Sequence, residues 1–202
     1  MCGRYIVIED DDIAGLRGLV PAVQSYLGAG EPDGRLALPG TDCPILTQHG
    51  DLMNARWGFA KWDGKGVVFN ARAETLASSG FFAPHLSYGR CIAPARMYFE
   101  WADETPDDPK AKPKKRKYRV FSVSGRPLWL CALMRPGKNA PFEYTVVTKS
   151  AAPNLTFLHP RMPLILDDDG AKRWLDRFDP SVLRYESVPV RCEADSPEPY
   201  AG

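Results

Sequence analysis

Apolar positions recur along the chain mostly with a period of two. Met53, Ala55, Trp57 and Phe59 alternate with Asn54, Arg56 and Gly58, the pattern of a half-buried strand. Residues 4–8, Arg-Tyr-Ile-Val-Ile, read as a strand near the chain start. Further strands are predicted at 67–69, 90–93, 97–101, 118–123, 128–134, 143–148, 163–166 and 186–190. Helical spacing is confined to short stretches. One is 10–20, where Ile13, Leu16 and Val20 follow aspartates able to cap a first turn; the others are 73–78, 151–158 and 170–176. The Gly- and Pro-rich stretch 28–44 reads as loop. Residues 191–202 read as a loose tail behind one domain spanning 1–190. Many short strands with few long helices between them predict an α+β domain on antiparallel or mixed sheets.

Composition narrows the class. With 202 residues, 44% of them hydrophobic and 25% charged, the chain is long enough to bury about 70% of its unfolded surface without staples. No apolar run approaches the roughly 20 residues of a membrane span, and the amino terminus lacks a signal pattern, so a soluble cytoplasmic protein is expected. The five cysteines (Cys2, Cys43, Cys91, Cys131, Cys192) are scattered without a Cys-x-x-Cys, which argues against a disulfide framework and against a metal site. A net charge of +1 leaves room for a local basic patch. The one biased segment, 103–119, runs from acidic (Asp103, Glu104, Asp107, Asp108) to basic (Lys110 through Arg119). It reads better as a solvated hairpin, its acids cancelling its bases, than as a nucleic-acid contact.

Four stretches carry candidate chemistry. In Met1-Cys2-Gly3-Arg4-Tyr5, removal of the initiator would leave Cys2 with an amine and a thiol on adjacent carbons. An α-amine titrates near ~7.7–8, so it can attack an aldehyde at physiological pH; the thiol can then close onto the imine carbon as a five-membered thiazolidine. The alternative is a small residue ahead of a strand. In Asn70-Ala71-Arg72, at a strand end entering a helix, Asn and Arg can orient a reacting group and bind an anion, or simply cap a turn. Glu100, between Phe99 and Trp101, is either a poorly solvated carboxylate suited to general acid work or a residue of an exposed strand face. His159 lies in a Pro-flanked turn and gains weight only from this company.

Taken together, these stretches resemble the SOS-response-associated peptidase (SRAP) family. The matching blocks are Met-Cys-Gly-Arg-Tyr at 1–5, Trp57-Gly58-Phe59-Ala60, Asn70-Ala71-Arg72-x-Glu74-Thr75, Arg90-Cys91-x-x-Pro94-Ala95 through Tyr98-Phe99-Glu100-Trp101, and His159-x-Arg161-Met162-Pro163. They stand in the family's order. The resemblance implies a compact α+β fold with a barrel-like, mostly antiparallel core and a cleft for single-stranded DNA containing an abasic site. It implies Cys2 as nucleophile, Asn70 holding the terminal amine, Glu100 as general acid and base, and His159 moving a proton at the sugar oxygen. Arg4 and Arg72 would hold phosphates, while Trp62 and Phe81 or Phe82 would stack on bases, the two Phe being equally readable as core. No cofactor, metal or membrane is implied, and a monomer is expected, nucleoid-associated if bacterial. Weak abasic-site lyase activity and crosslink reversal are side expectations.

The pattern departs from the family at Leu36-Ala37-Leu38-Pro39-Gly40 and at Arg96-Met97. An Arg so near Glu100 would either lower that carboxylate's pKa or add a phosphate contact. Two other function classes stay open: a thiol (auto)peptidase pairing Cys2 with His159, and a non-covalent reader of single-stranded DNA in which Cys2 is structural.

Overall fold

The computed structural model describes residues 2–8, 34–104, 114–138 and 140–195. The helix expected at 10–20 and residues 105–113 of the acidic-to-basic loop lie outside them. The described residues form fourteen strands in chain order: β1 (Tyr5–Val7), β2 (Leu36–Ala37), β3 (Asp42–Thr47), β4 (Leu52–Trp57), β5 (Phe59–Ala60), β6 (Val67–Val68), β7 (Asn70–Arg72), β8 (Arg90–Glu104), β9 (Lys114–Ser122), β10 (Leu128–Pro136), β11 (Phe142–Ser150), β12 (Arg161–Pro163), β13 (Ile165–Leu166) and β14 (Val190–Ala194). Among the described residues one α-helix, α1 (Asp168–Asp176), packs against β8, β10 and β13, and there are several short 3₁₀ turns.

Five strands close on themselves. β10 pairs with β11, β11 with β4, β4 with β3, β3 with β8, and β8 returns to β10. Only the β11–β4 contact in this ring is parallel. Closure removes the exposed edges that an open sheet would present. Both faces of the ring are covered: Ile45 and Trp57 lie on one face and Leu46 and Leu52 on the other, and these four, with Tyr5, Tyr98, Leu130 and Tyr144, are each at most 2% exposed. The mostly antiparallel barrel-like core with few helices is therefore the architecture the sequence led us to expect.

Several elements differ from the sequence pattern, each for a local reason. The expected strands 90–93 and 97–101 are one fifteen-residue strand, β8. Its pairing with β1 shifts register between Ile6 and Val7, whose partners are Met97 and Ala95, so Arg96 is the extra residue of a bulge rather than a chain break. Within the expected loop 28–44, β2 and the start of β3 pair with β1 and β4. The helix expected at 151–158 is only a 3₁₀ turn over Pro153–Leu155, which Pro153 starts from a first-turn position where its missing N–H is no loss. The strand expected at 186–190 lies instead at Val190–Ala194, where β14 adds to β9. The tail expected from 191 thus starts with four residues of strand, because the free edge of β9 offers backbone partners that no composition rule reveals.

The acidic-to-basic stretch forms the arms of a long hairpin. Glu104, Asp103 and Ala102 of β8 face Lys114, Lys115 and Arg116 of β9 across the ladder, and Arg116 reaches Glu104 at 2.8 Å. Opposite charges on paired strands neutralise each other locally.

Buried Arg90, at the start of β8, holds α1 in place. Its guanidinium donates to the carbonyls of Trp174, Leu175 and Asp176 at the helix C-terminus, and to those of Leu86 and Ser87, at 2.6–3.3 Å. These helix carbonyls have no intrahelical partners, and a cation there also complements the helix dipole. At the N-terminus of α1, Asp167 accepts from the Gly170 N–H at 2.7 Å.

Candidate active site around Cys2

The chain before β1 runs beside β8, and the Phe99 N–H donates to the Arg4 carbonyl at 3.0 Å. This path carries Cys2 inward until it is 1% exposed. The Asn70 side chain, at the first residue of β7, donates from Nδ2 to the Cys2 carbonyl at 2.8 Å. β7 is held in register by parallel pairing with β11, Val146 opposite Asn70 and Thr148 opposite Arg72. The Asn70 Oδ1 is buried and has no partner among the described residues. An acceptor stranded like this is uncommon in a folded interior and points to a donor supplied by a ligand or by a different state of the chain.

Glu100 is 6% exposed and lies close enough to act electrostatically on the Cys2 thiol. Strand alternation puts Tyr98 on the same face of β8, and it too feels Cys2 and Glu100. Burial first, then the Glu100 charge, push the Cys2 thiol well above the usual thiol range. Its sulfur is 3.9 Å from the Arg4 carbonyl oxygen. At neutral pH the thiol is therefore protonated.

His159 reaches the same end of the sheet through its neighbours. The Arg161 N–H donates to His159 Nδ1 at 2.9 Å, so a neutral ring carries its proton on Nε2. Arg161 grips Glu74 with two bonds of 2.6 and 2.8 Å and donates to the Thr148 carbonyl, while Thr148 Oγ1 donates to the Ala71 carbonyl. These bonds tie the His159 turn to the strand bearing Asn70 and Arg72. The bonds from Arg161 hold the Glu74 carboxyl below its usual range. No contact between His159 and Cys2 appears among the described hydrogen bonds.

The other candidates lie further out. Arg4 is exposed and stacks over the Trp101 ring, 5.0 Å from its centroid. Arg72 is exposed at the end of β7. Trp62, at the tip of the β5–β6 hairpin, is 85% exposed, and its ring lies 5.9 Å from Phe81 beside a shallow hollow lined by Lys61, Asp63 and Val68. Phe81 and Phe82 are half-buried against Phe59, so Trp62 has the most open ring of the three.

That hairpin leaves the barrel at Gly58, whose φ of +119° suits glycine and whose N–H donates to the Tyr144 carbonyl at 2.7 Å. It is pinned by a pair of buried Glu143 and half-buried Arg135: Arg135 bonds Glu143 at 2.9 Å and the Ala60 carbonyl at 2.7 Å, and Glu143 accepts from the Ala60 N–H at 3.0 Å. Sequence reading passed over Arg135 and Glu143. Their signal was the hairpin register, since they face each other across β10 and β11 on either side of Gly137–Pro141.

A closed barrel with a buried cysteine near the chain start, bonded by an Asn from β7 and within the field of a Glu from β8, is the class of protein that this geometry defines. The chain belongs to the SRAP family, described as SOS response associated peptidase, whose model matches residues 1–193. It is similar to the abasic site processing protein YedK of Escherichia coli, 32% identical over 189 residues covering 87% of this chain and 79% of the relative. It is also similar to the abasic site processing protein YoqW of Bacillus subtilis, 31% identical over 99% of this chain and 91% of the relative. Among solved structures, a protein from Bacteroides thetaiotaomicron superposes with a TM-score of 0.75 at 18% identity, over 97% of this chain and 93% of that one, which speaks to the fold.

Proposed function

We propose that the protein processes abasic sites in single-stranded DNA by forming a covalent thiazolidine between Cys2 and the ring-opened deoxyribose. The observation that carries this reading is Asn70, with Nδ2 on the Cys2 carbonyl and Oδ1 buried without a partner among the described residues. An α-amine on Cys2, exposed by removal of Met1, is a donor of the kind that Oδ1 lacks.

The chemistry follows from the groups at hand. The amine attacks the C1′ aldehyde, and loss of water, aided by proton transfer from Glu100, gives an imine. The thiol then adds across the C=N bond, sulfur to carbon and its proton to nitrogen. One water is released overall, and no oxidant or metal takes part. The raised thiol pKa fits this order, because the amine reacts first and the S–H supplies the proton that ring closure needs. His159 Nε2 would serve the sugar oxygen as the ring opens and, in the reverse direction, help release the adduct. Strand cleavage by β-elimination from the imine would be a slow side reaction. Arg4 and Arg72 would hold flanking phosphates, and Trp62 would stack on a base.

A peptidase needs a thiolate, and burial together with Glu100 works against one here. The family name alone supports that alternative. The test is incubation with an abasic single-stranded oligonucleotide, followed by a denaturing gel and intact mass. A shifted band is expected, at the mass of protein without Met1 plus oligonucleotide less one water. Cys2→Ala should remove it, and an adduct of unchanged yield on Cys2→Ala, or on a chain retaining Met1, would overturn the reading.

A further inference from the structure

Among the described residues three aromatic side chains stand largely in the open: Trp62, Tyr88 and Phe157, the last 56% exposed. Trp62 has its place on the β5–β6 hairpin. Tyr88 precedes β8 at the end away from Glu100, and Arg90 and Glu100 are about 30 Å apart along that strand. Phe157 differs from both, because it stands in the turn that leads into His159.

That turn is fixed on both sides of Phe157. The Leu158 and His159 N–H groups donate to the carbonyl of buried Leu155 at 3.0 and 3.3 Å, and the Asn154 side chain donates to the Val190 carbonyl of β14 at 2.9 Å. Leu158 is turned into the core and Phe157 out of it. On the outside Phe157 meets Tyr118 edge to face, with ring centroids 5.5 Å apart. Tyr118 of β9 is paired with Glu100 of β8, so the two share a face of the ladder with their Cβ atoms about 5 Å apart. The ring pair thus borders Glu100 on one side and the His159 turn on the other.

Exposure and chemistry decide what the pair suits. An edge-to-face contact takes at most one face of a ring, and with more than half of Phe157 in solvent a face is left for stacking. Arg116 lies over the Tyr118 ring at 6.0 Å but already bonds Glu104 at 2.8 Å, so flat apolar surface, rather than charge, defines the ligand. A nucleobase has a π-face whatever its identity, and stacking on an aromatic side chain tolerates any sequence.

We propose that Phe157, backed by Tyr118, stacks on the nucleobase adjacent to the abasic site and so holds the lesion against Glu100 and His159. This rests on the abasic-site reading above and deepens it by assigning a subsite for the neighbouring base. The subsite acts by binding and takes no part in bond making at Cys2.

The test uses three single strands, each with one aldehyde abasic site, so that the covalent bond fixes which nucleotide occupies the lesion position. In the second strand the nucleotide 5′ to the lesion is replaced by tetrahydrofuran, which has neither base nor aldehyde; in the third, the 3′ nucleotide is replaced. The rate of adduct formation is followed against strand concentration for wild type, Phe157→Ala, Phe157→Leu and Phe157→Tyr. On the first strand Phe157→Ala should raise the half-saturating concentration about tenfold, the worth of one stacked base. Phe157→Leu, apolar but without a ring, should lose nearly as much, and Phe157→Tyr should match wild type. For wild type, deleting one of the two neighbouring bases should cost a similar factor, and the same deletion should change Phe157→Ala by less than about twofold, as expected when both changes remove one contact. An unchanged half-saturating concentration in Phe157→Ala, a Leu variant equal to wild type, or the same loss in Phe157→Ala on all three strands would overturn the proposal. Any of these with Cys2-dependent crosslinking intact rejects only the subsite, whereas absence of wild-type crosslinking on the first strand rejects the abasic-site chemistry and the subsite with it.

Discussion

Arg90 and Asn70 are both polar side chains that reach into the barrel's flanks, and their surroundings are opposite. Around Arg90 every contact is complete: the guanidinium meets five backbone carbonyls, three of them at the end of α1, and Trp174 of the same helix donates from its ring to the Cys91 and Ala132 carbonyls. Around Asn70 the amide nitrogen is used and the oxygen has no partner among the described residues, the neighbouring thiol is held protonated, and Glu100 is buried close enough to act on it. A charge surrounded by acceptors gives up its interactions only when the helix moves, so it fixes structure. A buried acceptor left open costs about 1–3 kcal/mol and persists only where the surrounding fold compels it. The difference separates a joint from a site without reference to any motif.

The largest effect expected from this contrast is on stability at Arg90. Arg90→Met keeps much of the apolar length but strands up to five carbonyls, and should cost about 3 kcal/mol in chemical denaturation, with a lower midpoint and an unchanged slope. The crosslinking rate per folded molecule should stay at the wild-type value. A variant that lost crosslinking while keeping its denaturation midpoint would place Arg90 with the site and dissolve the comparison.

Asn70→Ala should behave the other way. It gives up the bond to the Cys2 carbonyl but also removes the open acceptor, two terms of about 1 kcal/mol with opposite sign, so stability should shift by less than ~1 kcal/mol. An amine held by a charge-assisted hydrogen bond is worth about 1.5–3 kcal/mol, so the crosslinking rate should fall roughly ten- to hundredfold in single-turnover measurements. A stability loss equal to that of Arg90→Met, with an unaltered rate, would make Asn70 a structural residue.

The sequence revealed the two regions unequally. Alternation at 53–59 made one barrel strand visible because one face of it is buried, and the runs at 128–134 and 143–148 marked two more because nearly every position in them is buried; the run at 118–123 marked β9, which pairs with β8 outside the ring. Cys2, Asn70 and Glu100 stood out through chemistry and family pattern, although nothing local said that Asn70 would meet the Cys2 carbonyl. The three contacts of Arg90 with α1 were invisible, since they join residues 84–86 positions apart in the chain and their partners are backbone atoms without side-chain identity. β14 escaped for the same reason: Arg191 and Glu193 read as solvated tail until the edge of β9 was there to pair with them. Arg96 was ambiguous because a bulge changes which face a residue takes, and the pattern of alternation carries no mark of it.

The smallest effect concerns pH. Burial raises the thiols of Cys2, Cys91 and Cys131 and the phenols of Tyr5, Tyr98 and Tyr144. Each group is then an acid whose folded pKa exceeds its unfolded value, so between the two values the unfolded chain binds fewer protons. The stabilising contribution is complete below the unfolded thiol pKa near ~8.5 and is lost as pH rises toward the folded value. Unfolding free energy should therefore be flat with respect to these groups up to about pH 8 and fall above about pH 9, each thiol adding about 1.4 kcal/mol per pH unit to the slope. Cys2→Ala removes one such group and should flatten the alkaline slope by about that amount, measured by chemical denaturation under reducing conditions. Crosslinking should respond at a different pH, rising as the α-amine loses its proton near ~7.7–8 and showing no inflection at the thiol. An alkaline slope identical in wild type and Cys2→Ala would mean that the thiol is not held protonated by the fold. Ring closure would then begin from a thiolate, and the contrast between a completed joint and a waiting site would lose its chemical half.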